Sequence, residues 1–169
     1  MKIFLLGLPG SGKTTLGKEL SVLLGLRFVD LDLEIEQDTG KKIREIFEER
    51  GEIYFRELES QALGAWCVSP SGFVMATGGG TPCFLNNMET INRSGKSIFL
   101  DVPPEVIAER IRHDGHQERP LLASLQPDEL NDKIKILRLN RINHYHQALF
   151  TLSGGVISTK DVMSILNQG

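Results

Sequence analysis

The sequence has little of what marks several specialised classes of protein. Its 169 residues include two cysteines, too few for a disulfide framework, and we expect both to be reduced core residues. Its apolar runs fall far short of the roughly 20 residues that a membrane-spanning helix needs, and its first residues do not form a secretory signal. Lys and Arg number 19 against 22 Asp and Glu, which excludes the basic surface of a nucleic-acid or membrane binder. We therefore expect a cytoplasmic protein that acts on a small molecule.

The hydrophobic pattern alternates between strands and helices within one predicted domain, residues 1–169. With 40% hydrophobic and 24% charged residues, a chain of this length can bury a substantial core. Short apolar runs predict five strands, at residues 2–6, 26–29, 73–76, 97–102 and 148–152. Apolar residues at helical spacing predict helices at residues 13–24, 33–50, 52–66, 105–112, 130–147 and 160–166. The alternation predicts an α/β fold, a three-layer sandwich with a five-stranded parallel sheet between helices.

Residues 7–14 read Gly-Leu-Pro-Gly-Ser-Gly-Lys-Thr and match the pattern G-x-x-x-x-G-K-[ST] in full. The motif follows the first predicted strand and opens a helix, which is the context that phosphate binding requires. Its glycines allow successive backbone N–H groups to converge on a phosphate at the positive end of that helix. Lys13 offers a positive charge to the outer phosphates, and Thr14 offers a hydroxyl to Mg²⁺. The motif therefore predicts binding of a nucleoside triphosphate.

The ends of the later strands narrow the class of nucleotide-binding protein. The sequence has no Asn-Lys-x-Asp, the element that usually reads guanine, and no predicted strand ends in the Asp-Glu pair of motor ATPases. Asp30 and Asp32 follow the second strand, at the edge where open α/β sheets collect ligands. One of them could hold Mg²⁺ while the other accepts a proton from an attacking hydroxyl. Asp101 ends the fourth strand and competes for the metal, although the two prolines that follow it favour a turn or cap role.

Further short motifs follow the phosphate loop in a fixed order. They are Asp30-Leu31-Asp32, Phe55-Arg56, the three glycines at 78–80, Arg119-Pro120-Leu121, and Arg141 four residues before Tyr145. Together with the loop they resemble the motifs of shikimate kinases, a family of small P-loop kinases related to the nucleoside monophosphate kinases. The resemblance implies a P-loop kinase fold with a lid, and a monomeric enzyme. It implies transfer of the ATP γ-phosphoryl group to the 3-hydroxyl of shikimate, a step towards chorismate and the aromatic amino acids.

The resemblance also implies a role for each motif residue. The catalytic residues would be Lys13, Asp32 as the base, and Arg119 in a lid over residues 113–127. ATP would contact Gly10, Ser11, Gly12, Lys13, Thr14, Thr15, Arg119 and, at the adenine, Arg112. Mg²⁺ would be held by Thr14 and Asp30. Shikimate would lie among helices at about residues 31–65 and contact Asp32, Arg56, Gly78, Gly79, Gly80 and Arg141.

Three alternatives stay open on the sequence alone. Arg138 lies one turn before Arg141 on the same predicted helix and could share its role with the acceptor carboxylate. The acceptor could be another small hydroxylated acid, such as gluconate. The chain could also bind nucleotide as a regulatory protein without turnover, although a binding protein has no need of a base such as Asp32.

Overall fold

The computed structural model describes residues 1–113 and 127–167. Its strands form one parallel sheet of five, in the order β2-β3-β1-β4-β5. The strands are β1 (Lys2–Leu6), β2 (Arg27–Asp30), β3 (Phe73–Ala76), β4 (Lys96–Asp101) and β5 (Phe150–Ser153). The strand that leads into the phosphate loop therefore lies at the centre of the sheet, between β3 and β4.

Seven helices of the described residues surround this sheet. They are α1 (Lys13–Leu24), α2 (Leu31–Thr39), α3 (Ile43–Val68), α4 (Asn87–Ser94), α5 (Pro104–His113), α6 (Pro127–Tyr145) and α7 (Thr159–Leu166). Helices α1 and α7 pack on one face of the sheet, and α2 to α6 pack on the other. The predicted three-layer α/β sandwich is thus confirmed. Among these helices none is both long and apolar enough to cross a membrane.

The central strands are buried on both faces, which explains their unbroken apolar sequences. Along β1, Phe4 and Leu6 pack into the core beneath α2 to α6, whereas Ile3 and Leu5 pack into the core beneath α1 and α7. All four are fully buried, as the two-residue alternation of a strand requires when helices cover both sides. Burial of each such side chain stabilises the fold by about 1.5–3 kcal/mol.

The helices between β2 and β3 differ from the prediction. The charged stretch 33–50 was expected to be one helix, but the chain ends α2 at Thr39 and turns at Gly40, whose φ is 68°. Helix α3 then runs through the predicted break near residue 51, where Gly51 adopts φ 80° and ψ 176° and kinks it. Left-handed backbone of this kind suits glycine, which has no Cβ to clash.

Two elements after β3 were not predicted. A 3-10 turn spans Thr81–Cys83, and α4 follows it. In α4 the buried apolar residues are Met88 and Ile91, too few to give a recognisable stripe. This short helix leads directly into β4.

Candidate active site

The phosphate loop (residues 7–14) joins β1 to α1 at the carboxyl edge of the sheet. Gly7, Gly10 and Gly12 all have positive φ, at 144°, 87° and 95°. These conformations curl the loop in front of the first turn of α1, where free N–H groups and the helix dipole favour an anion. A Cβ on Gly7 would lie 2.9 Å from the Leu100 carbonyl oxygen, so the loop fits only without that side chain. This geometry is that of a phosphate-binding nest.

Lys13 is the first residue of α1 and is buried in the loop. Its Nζ donates hydrogen bonds of 2.9 Å to the carbonyl oxygens of Gly7 and Leu8. The side chain therefore holds a positive charge against the curled backbone. Thr15 follows on the exposed side of α1, while the Ser11 side chain is buried.

Arg110 on α5 is a residue near the loop that the sequence analysis did not single out. Its Nη2 donates a 2.6 Å hydrogen bond to the Gly155 carbonyl, and its Nη1 lies 3.3 Å from the Gly10 carbonyl. It thus joins α5, the phosphate loop and the chain after β5. Arg112, predicted at the adenine, lies exposed in the last turn of α5. Arg119 and the predicted lid, apart from its end residues, lie outside the described residues.

The predicted metal ligands lie together at the end of β2. The Thr14 hydroxyl donates a 3.1 Å hydrogen bond to Oδ2 of Asp30. Asp30 is the last residue of its strand and immediately precedes α2. A hydroxyl and a carboxylate at this separation form the oxygen-donor set that Mg²⁺ prefers. Asp101, the competing carboxylate, instead accepts a 2.8 Å bond from Nη2 of Arg138.

Asp32 lies in the first turn of α2, two residues after the end of β2. Its Oδ1 is buried and has no hydrogen-bond partner among the described residues. Its pKa is raised from 3.8 to about 6, first by burial and then by charge repulsion from Glu59 and Asp30, while Lys13 and Arg56 act in the opposite direction. A carboxylate with these neighbours is still mainly ionised at pH 7 and can accept a proton.

Arg56 and Glu59 form a buried ion pair on α3, next to Asp32. Glu59 is fully buried. It accepts a hydrogen bond of 2.6 Å from Nη1 of Arg56 and another of 2.5 Å from the Thr81 hydroxyl. The Nε and Nη2 atoms of Arg56 donate to Oε1 of Glu52 at 3.2 and 3.0 Å. Glu59 was missed because an acidic residue on a charged helix is normally solvated, and Thr81 lies 22 residues away. Its signal was the Arg56-x-x-Glu59 spacing, which places both on one helix face.

The glycine turn (Gly78, Gly79, Gly80) lies among these side chains. A Cβ on Gly78 would lie 2.5 Å from Glu59 Oε1 and 3.0 Å from Asp32 Oδ1. On Gly79 it would lie 2.8 Å from Cδ of Pro9, and on Gly80 2.6–2.7 Å from the Arg56 guanidinium. The turn thus brings bare backbone against both the phosphate loop and the charged cluster, which is how glycine exposes backbone to a ligand.

Arg141 and Arg138, one turn apart on α6, have different surroundings. A Cβ on Gly79 would lie 3.1 Å from Arg141 Nη1, and Arg141 also reaches the Tyr145 phenol. The Tyr145 phenol donates a hydrogen bond of 2.5 Å to the Gly79 carbonyl oxygen, and burial raises the pKa of that phenol. Arg138 instead pairs with Asp101, beside a separate cavity of about 510 Å³. The structure therefore brings Arg141, and not Arg138, to the glycine turn.

Comparison with known proteins identifies the family of this chain. The family model for shikimate kinase matches residues 9–167. The shikimate kinase of Bacteroides thetaiotaomicron is 45% identical over 150 residues, 89% of this chain and 85% of that protein. A crystal structure of shikimate kinase from that organism superposes with a TM-score of 0.93 at 39% identity, over 99% of this chain and 98% of the other. A structure of shikimate kinase from Acinetobacter baumannii in complex with shikimate superposes with a TM-score of 0.84. The two chains are 34% identical, and the match covers 99% of this chain and 90% of the other. On this similarity, the chain belongs to the shikimate kinase family.

Proposed function

We propose that this chain transfers the γ-phosphoryl group of ATP to the 3-hydroxyl of shikimate, with Asp32 as the base. Membership of the shikimate kinase family makes ATP the phosphate donor and shikimate the acceptor, in aromatic amino acid biosynthesis. The observation that carries the mechanism concerns Asp32: its Oδ1 is buried with no hydrogen-bond partner in the described part of the chain, and both Lys13 and Arg56 act on its pKa. The carboxylate therefore lies between the phosphate loop and the acceptor cluster.

The acceptor side supplies charge for a carboxylate and room for a ring. Arg56 and Arg141 provide two planar cations that match a carboxylate in bidentate fashion. The glycine turn lies against both arginines and would expose its backbone to the hydroxylated ring. These contacts support a small cyclic acid held with one hydroxyl towards Asp32.

In the transfer step, the acceptor hydroxyl gives its proton to Asp32 as its oxygen attacks the γ-phosphorus. The bond from that phosphorus to the bridging oxygen of the β-phosphate breaks, and ADP leaves with the electron pair. Lys13 and, from the predicted lid, Arg119 would stabilise negative charge on the transferred group. Closure of such a lid would exclude water from the reaction.

On the nucleotide side, Gly10, Ser11 and Gly12 of the phosphate loop, together with Thr15 just after the loop, would contact the phosphates. Thr14 and Asp30 would hold Mg²⁺, which fits their oxygen donors and their 3.1 Å contact. When bound, this ion neutralises charge on the outer phosphates. Arg112 stays a prediction for the adenine, and the contacts of Arg110 make it a second cation on this side.

We also propose that the enzyme is a cytoplasmic monomer. Both cysteines are free thiols in the structure, which is typical of a reducing compartment. Light scattering on the purified protein should give the mass of one copy, and a dimer mass would contradict the assignment.

The decisive experiment measures ADP release from MgATP with shikimate, with gluconate, and without an acceptor. We expect release with shikimate alone, together with a product that NMR identifies as the 3-phosphate. Release with gluconate alone would overturn the acceptor assignment while keeping the kinase chemistry. Tight ATP binding without acceptor-dependent release would favour a regulatory nucleotide-binding protein.

A further inference from the structure

Two carboxylates of unlike character bind the Arg56 guanidinium. Glu59 binds Nη1 at 2.6 Å, and its side chain is only 1% exposed. Glu52 binds Nε and Nη2 at 3.0–3.2 Å through one oxygen, Oε1, and its side chain is 56% exposed. Glu59 is thus a buried partner within the core, whereas Glu52 lies at the solvent side of the same guanidinium.

The edge of Arg56 that Glu52 occupies is the one suited to a ligand carboxylate. The paired N–H groups of Nε and Nη2 form a fork that matches two carboxylate oxygens. The rest of the guanidinium is enclosed, because the Gly80 backbone lies against it and the Phe84 ring centre lies 4.4 Å from its carbon. An acceptor carboxylate that reaches Arg56 in bidentate fashion therefore meets Glu52 first.

The local backbone leaves Glu52 easy to move. It follows Gly51, where α3 is kinked, and so belongs to the first turn of the second helical segment. Its bond to Arg56 is an i,i+4 pair in which the glutamate side chain is 56% exposed and the arginine side chain 10% exposed, so water can solvate the Glu52 carboxylate as soon as it is released. Displacing Glu52 from Arg56 consequently needs neither a core rearrangement nor the loss of the Glu59 pair.

We infer that Glu52 is an internal competitor of the acceptor: its carboxylate occupies the Arg56 edge that the substrate carboxylate takes over on binding. This inference rests on the proposed function. Glu52 then weakens acceptor binding in the resting enzyme, and it keeps the Arg56 charge paired until a carboxylate ligand arrives. A merely supporting role predicts the opposite, since removing a support would weaken acceptor binding.

The test compares Glu52→Gln with Glu57→Gln in steady-state kinetics. Glu57 is an exposed glutamate on the same helix, so its variant removes the same charge without touching Arg56. We expect Glu52→Gln to lower the KM for shikimate about two- to fivefold, the size of a weak ion pair, with kcat and the KM for ATP unchanged. Glu57→Gln should leave the KM for shikimate unchanged. A higher or unchanged KM in Glu52→Gln, or an equal fall in Glu57→Gln, would overturn the competitor role.

A second measurement identifies the ligand group that competes. Calorimetric binding of shikimate is compared with that of its neutral carboxamide, for the wild type and Glu52→Gln. The gain in affinity should appear for shikimate and not for the carboxamide. An equal gain for both ligands would contradict displacement by a carboxylate. Absence of shikimate-dependent ADP release in the wild type would instead count against the proposed function itself.

Discussion

The phosphate side of this site is formed by one backbone loop, whereas the acceptor side is formed by charged side chains from several helices. The phosphate side is one continuous loop of residues 7–14, shaped by glycines with positive φ and held by a single buried lysine. The acceptor side gathers Asp32, Arg56, Glu59 and Arg141 from α2, α3 and α6 around the glycine turn. One side therefore depends on backbone shape, whereas the other depends on how buried charges balance one another. Substitutions should separate the two sides by the kinetic constant that each one changes.

The largest effect is expected from Asp32→Asn, which removes the proposed base. General base catalysis is worth about 10²–10⁴-fold, so kcat should fall by that factor while the KM for ATP stays unchanged. Asp38→Asn is the matched control, since Asp38 lies exposed on the same helix. Steady-state kinetics of both variants make the test, and an unchanged kcat in Asp32→Asn would remove Asp32 from the base role.

Gly80→Ala should weaken binding of the acceptor without affecting binding of ATP. Its Cβ would lie 2.6–2.7 Å from the Arg56 guanidinium, so the charged fork must move away from its partners. Loss of a charged hydrogen bond costs about 1.5–3 kcal/mol, which corresponds to a rise of about 10- to 100-fold in the KM for shikimate. Gly64→Ala on α3 is the control, because a Cβ there would meet nothing within 4 Å apart from the neighbouring backbone of its own helix. A rise in the KM for ATP instead would show that the two sides are not separable here.

Gly12→Ala should break the phosphate side alone. Gly12 has φ 95°, and left-handed backbone costs a residue with a side chain about 1–2 kcal/mol. If the loop relaxes to avoid this strain, the KM for ATP rises about 5- to 30-fold and the KM for shikimate does not. Gly25→Ala carries a similar strain at the end of α1, with φ 63° and open space around it. Equal loss of ATP affinity in both variants would mean that strain, and not loop shape, is responsible.

The smallest effect concerns the stability of the fold. Asp32→Asn, which should lower kcat, should raise the free energy of unfolding. The folded pKa of Asp32 is raised from 3.8 to about 6, so the ionised carboxylate destabilises the fold above pH 6. This difference in pKa between the folded and the unfolded state corresponds to at most about 3 kcal/mol in the free energy of unfolding. The partial exposure of Asp32 reduces that figure to about 1–2 kcal/mol. Asp32→Asn should therefore raise Tm by a few degrees at pH 7.5.

The pH dependence of this gain checks its cause. Both states protonate Asp32 below pH 4, so the difference in Tm between the wild type and Asp32→Asn should shrink as the pH falls from 6 to 4. In the wild type, kcat/KM for shikimate should fall as the pH is lowered, with a midpoint near pH 6, because protonated Asp32 cannot act as the base. A Tm difference that persists at pH 4 would assign the stabilisation to something other than the ionised carboxylate.

The sequence predicted the sheet and the phosphate loop well because both are local patterns. Five apolar runs between helical segments determine a parallel sheet, and the loop motif is contiguous. The turn at Gly40 was missed because the charges on either side looked continuous. Helix α4 was missed because it buries few apolar side chains.

The charged cluster was harder to predict, because its properties come from contacts between distant segments. Glu59 matters through Arg56, Thr81 and Asp32, and the last two lie on other elements. The raised pKa of Asp32 follows from burial, which no motif encodes. The choice between Arg138 and Arg141 rested on family spacing, while their separate partners, Asp101 and the glycine turn, were visible only in the fold.

The strand order also constrains the synthesis of this protein. β1 and β2 are consecutive in sequence, yet β3 lies between them in the sheet. In the folded sheet Phe73–Ala76 pairs with both of them, so their final positions depend on a strand that is translated later. We therefore expect the contact of Thr14 with Asp30, 16 residues apart, to form stably only once β3 is in place. On the ribosome, we expect the nascent chain to form its phosphate loop early and to complete the proposed Thr14–Asp30 metal pair only after β3 has left the exit tunnel.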